Sequence, residues 1–116
     1  MIADASTTLN MIRFELLLAQ RQLQQAHPQG HRSCLDALWK VYCLAQPHTR
    51  REDNKMPFSD LPQPIANPRH WQDGAAKARS IVQEALNLHQ HMQQGKMGWA
   101  SWNALADHML DALNLL

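Results

Sequence analysis

Seven histidines in 116 residues are the first groups to test for chemistry, because neutral imidazole is both a common metal ligand and a proton carrier. His89 and His91 are two apart, so on a helix they point to different faces and cannot share an ion as an i, i+4 pair would. His31 and Cys34 are three apart near a helix start, with His27 close by. A tetrahedral site needs four ligands, however, and the spacing offers no such set, so no metal and no cofactor is expected. Asp107 and Asp111 lie one turn apart on a common helix face. Paired carboxylates hold a metal or move a proton when other helices supply complementary ligands, but the Glu-x-x-His pairs of di-iron bundles do not occur here. They are read as a solvated face. No strand followed by a Gly-rich phosphate loop, no nucleophile elbow and no HExxH pattern is present.

Arg21 and His27 form an Arg-x5-His spacing in a chain that reads as all-helical. This resembles the Arg-x(4–6)-His mark of HEPN-domain ribonucleases, although Gln22 follows the arginine where that family often has Asn, Asp or His. The resemblance implies a metal-independent ribonuclease in which Arg21 stabilises the phosphate and His27 shuttles a proton, with two chains meeting at the site. A third reading, a nucleic-acid-binding regulator, would use Arg50, Arg51 and Lys55. Glu52 and Asp53 interrupt that run, and a net charge of +1 with a pI near 7.9 supplies no broad basic field. Nucleic acid is therefore possible but not favoured.

The four tryptophans point elsewhere. Trp is large and enriched where proteins anchor one another. Trp99 and Trp102 are three apart and expected to share a face beside Met97; together with Phe58 and Leu116 they make the candidate partner-binding set.

The elements that must position these residues are helices. From Pro68 to Gln94, Trp71, Ala75, Ala78, Val82, Ala85, His89 and Met92 recur at steps of four and three, which lines one face of a helix. Asn67-Pro68 suits its start and Gly95 its stop. Ala75, Ala78 and Ala85, with Gly74 nearby, let a neighbour approach closely. His89 falls on this seam, with one ring nitrogen expected to bond a neighbouring side chain. A first helix of about 5–26 buries Leu9, Ile12, Leu16, Ala19 and Leu23; Phe14, Leu17 and Leu18 widen its stripe beyond what one partner covers. His27-Pro28-Gln29-Gly30 closes it. Ser33 and Asp36 resemble a capping box for a second helix over 33–46, which carries Cys34, Leu35, Leu38, Val41, Tyr42 and Ala45 inward. A last helix over 99–115 repeats the pattern with Trp99, Trp102, Ala106, Met109 and Leu113.

Between the second and third helices, the Pro-rich stretch 47–67 has no period and exceeds the length at which structureless loops are common. The sequence thus predicts a single all-α domain, 1–116: an up-down four-helix bundle with one long loop. Cys34 and Cys43, nine residues apart on one helix, are about 13 Å apart by helical rise and beyond disulfide reach. That favours a reducing compartment. No stretch is apolar enough for a membrane span and the N-terminus is not a secretory signal, so a cytoplasmic protein is expected. The leading functional expectation is a non-enzymatic interaction or regulatory protein, a homodimer, that offers an apolar helix face or the 48–66 loop to another protein.

Overall fold

The computed structural model describes residues 5–49, 68–95 and 98–116. Four helices carry them: α1 (Ala5–Gln25), α2 (His31–Ala45), α3 (Pro68–Gln93) and α4 (Trp99–Leu115), with short 3-10 turns at Pro28–Gly30 and Gln46–His48. This is the expected helical bundle. In space the neighbours are α1 with α2, α2 with α4, α4 with α3 and α3 with α1. Cross-bundle contacts fix the directions. His89, late in α3, bonds Leu9, early in α1; His31, at the start of α2, bonds Leu116, just past α4; His48, just past α2, stacks on Trp102, early in α4. Every neighbouring pair is therefore antiparallel, and α2 and α3 lie parallel across a diagonal. The end of α2 and the start of α3 therefore lie at opposite ends of the bundle.

The apolar stripes read from the sequence meet in one core. Ile12, Leu16, Leu23, Leu35, Leu38, Val41, Val82, Met92, Leu105 and Met109 are buried in it. At Gly74 α3 and α4 approach closely: a Cβ there would meet the Leu115 carbonyl, which is backbone and cannot swing aside.

One helix start differs from expectation. α2 starts at His31, not Ser33, because the Pro28–Gly30 turn runs straight into it with Gly30 as a cap that has no side chain to bond. Ser33 is already inside the helix, and Asp36 instead pairs with Arg32 one turn back at 3.2 Å. The side-chain cap belongs to the preceding turn, where His27 Nδ1 accepts the Gln29 N–H. At the end of α1, Ala26 takes the left-handed conformation with φ 49° and donates its N–H to Gln22. Gly95, with φ +103°, performs the same service after α3 at no steric cost.

Candidate functional site

Helix α1 touches α2 on one side and α3 on the other, which uses the sector holding Leu9, Ile12, Leu16, Ala19 and Leu23. The opposite sector is left to solvent. Met11, Phe14 and Leu17, three apart, fall on it and form a continuous apolar ridge with exposures of 42, 69 and 43%. Leu18 is half-buried beside them. These three and Trp99 are the large hydrophobic side chains that stand exposed among the described residues.

A groove runs along each flank of the ridge. Toward α2, a depression of about 390 Å³ is lined by Asn10, Met11, Phe14, Glu15 and Lys40. Glu15 faces inward there and is buried. The Lys40 ammonium, reaching from α2, meets its carboxylate at 3.3 Å, which offsets the cost of taking that charge out of water. Toward α3, a groove of about 440 Å³ is lined by Arg13, Leu17, Gln20, Gln83, Leu86, Asn87, His89, Gln90 and Gln93. Its side-chain amides are linked head to tail: Gln20 Nε2 donates to Gln83 Oε1 at 2.8 Å, and Gln83 Nε2 donates to Asn87 Oδ1 at 3.2 Å. At the floor, buried His89 places Nε2 2.7 Å from the Leu9 carbonyl oxygen. A carbonyl accepts only, so Nε2 is the donor in this bond. The partner of His89 is thus main chain and not the side chain expected.

The other candidate groups are held in structural roles. His31 is buried, stacks on Trp71 at 4.8 Å, and bonds the Leu116 main-chain oxygen through Nε2 at 2.9 Å. Cys34 is buried with its thiol toward the Ala19 carbonyl, and burial pushes that thiol up to about 12. Cys43 is exposed and raised by the same cause. Both cysteines are free. Asp107 and Asp111 are exposed, and His108 Nδ1 lies 4.0 Å from Glu84. Among the described residues, no group of three or more His, Cys, Asp or Glu is placed to hold a metal ion. None of their helices is long and apolar enough to cross a membrane.

Of the partner-binding set read from the sequence, Trp99 is 51% exposed, but Trp102 and Leu116 are buried in the core. Residues three apart are separated by about 60° around a helix, and the boundary of the buried sector of α4 falls between the two tryptophans. Trp102 is covered further by His48, stacked on it at 4.3 Å. Met97, Phe58, Arg50, Arg51 and Lys55 lie outside the described residues. Arg21 and His27 are both exposed. His27 lines a shallow depression with Gln22, Gln25, Gln29 and Gly30, and Arg21 is not part of that wall. With Nδ1 engaged by the Gln29 N–H, the His27 ring is oriented as a turn cap. Arg13 and Met11 were missed in the sequence reading; the i, i+3, i+6 repeat of Met11, Phe14 and Leu17, out of phase with the core stripe, was the available signal.

No protein-family model matches the chain, and neither a curated protein nor a solved structure matches it.

Proposed function

We propose that this chain is a non-enzymatic interaction protein that binds a helix of another protein on the outer face of α1. The observation that carries the reading is the ridge of Met11, Phe14 and Leu17, three large apolar side chains left side by side in water on one helix. Contiguous exposed apolar surface marks partner sites. Burying a side chain such as Phe14 contributes about 1.5–3 kcal/mol, and a ridge between two grooves is the shape that an amphipathic helix straddles. The free thiols of Cys34 and Cys43 support a reducing, cytoplasmic setting for this binding.

The test is site-specific photocrosslinking in the native cell, with a benzophenone side chain at position 14 and, as control, at exposed Asp111 on α4. A discrete adduct from position 14 that position 111 does not give is the expected result. No adduct at equal expression rejects the reading. An adduct of twice the chain's own mass identifies a second copy, the homodimer, as the occupant instead.

A further inference from the structure

The charges around the ridge are one-sided. Glu15 is the only acidic residue of α1, and it is buried under Lys40. What α1 shows to solvent beside its apolar ridge is Arg13 and Arg21, with the exposed Lys40 alongside. No carboxylate lines the α1–α3 groove, and Arg13 has no acidic partner among the described residues. Asn87, across the groove, has its carbonyl oxygen occupied by Gln83 Nε2, while Gln83 is itself held by Gln20. The relay leaves Asn87 its NH2 group as the free end, a donor. A guanidinium and an oriented amide donor therefore line one groove between the apolar flanks Leu17 and Leu86.

We propose, resting on the α1 docking reading above, that this groove receives a carboxylate of the partner, held by Arg13 and Asn87. The partner is then an amphipathic helix with acidic residues bordering its apolar face. Charge complementarity selects it over a second copy. In a two-fold antiparallel pairing centred on Phe14, flanks meet their own equivalents, so the Arg13 side chains of both copies would share one side with no acid between them.

The test uses two designed helical peptides with the same Leu stripe, one bordered by Glu and one by Lys, titrated against the full chain by fluorescence anisotropy at low salt. The Glu-bordered peptide should bind about tenfold tighter, the difference a charge-assisted hydrogen bond supplies, and the preference should shrink as salt rises. Arg13→Glu should reverse the preference, and Asn87→Asp, nearly isosteric, should remove most of it. Both positions are exposed, and circular dichroism of each variant checks that it folds. Phe14→Glu should abolish binding of both peptides. Equal binding of both, lost in Phe14→Glu, overturns the carboxylate inference and leaves the docking face standing. No binding of either peptide up to millimolar concentration overturns both. Saturation by free glutarate with an affinity matching the peptide's, lost in Arg13→Glu, also rejects the partner helix, because the groove would then be a small-acid site.

Discussion

Helices α1 and α4 both have more apolar residues than one neighbour can cover, yet they end differently. Along α4, Trp102, Leu105, Ala106, Met109, Ala112 and Leu113 are buried, Leu110 and Leu115 pack against the core, and Trp99 alone among its large apolar side chains stands exposed. Along α1 the surplus stays outside as Met11, Phe14 and Leu17. Each helix lies between two others. The difference is in what lies against each helix besides its two neighbours. The His48 turn folds over Trp102, and Gly74 of α3 lets the end of α4 settle against it, so the covered sector of α4 is wide. On α1 the neighbours cover the inner sector, and the flanks are grooves, walled mainly by Gln, Asn and Arg toward α3 and holding Glu15 and Lys40 toward α2. On α4 the surplus is absorbed by a covering turn and one close approach; on α1 it is left over between polar flanks.

The contrast can be broken most sharply at the α4 core. Met109→Ala should lower stability by about 2–5 kcal/mol in urea unfolding, the usual cost of an unfilled cavity; a loss below about 1 kcal/mol would show that α4 is no better covered than α1. Gly74→Ala should cost about 1–3 kcal/mol, because the added methyl displaces the Leu115 main chain, and no change in the urea midpoint would remove close approach as the explanation.

The thiols of α2 sharpen the comparison between inner and outer sectors. Cys34 faces α1 and its thiol is pushed by burial from 9.0 to about 12, so the folded chain keeps a proton that the unfolded chain loses above pH 9. The stability linked to that proton is complete below pH 9 and is lost as pH rises toward 12. At pH 8 a maleimide should modify Cys43 in the folded chain and Cys34 only after denaturant is added; mass spectrometry of peptides tells them apart, and equal rates would contradict the buried placement. The smallest effect belongs to the ridge. Phe14→Glu should change stability by no more than about 0.5 kcal/mol, as surface substitutions do. A loss comparable with that of Met109→Ala would make Phe14 a core residue and end its claim to a partner.

Much of this architecture was legible in the chain. The stripes from Leu9 to Leu23, Cys34 to Ala45 and Trp71 to Met92 are buried as read, because a 3.6-residue period maps spacing directly onto a face. Gly95 ends α3 as its conformational freedom allows. The reading failed where a local rule met a tertiary neighbour. Ser33 looked like a cap, but the Pro28–Gly30 turn had already started the helix. Trp102 and Leu116 were offered to a partner, but His48 and His31 reach them from α2 and the turn that follows it. The relay Gln20, Gln83 and Asn87 spans 63 positions of sequence in its first link, and no local pattern announces it.

The sequence by itself determined which residues are helical, where the helices stop, and which stripe of each is apolar, because these depend on neighbours within a turn or two. Only the tertiary structure decided which leftover apolar side chains stay in water and which charges border them. The angle of a residue around its own helix follows from spacing; which angles the other helices cover follows from the order in which four rods close into a ring, and that order placed Phe14 outside and Trp102 within.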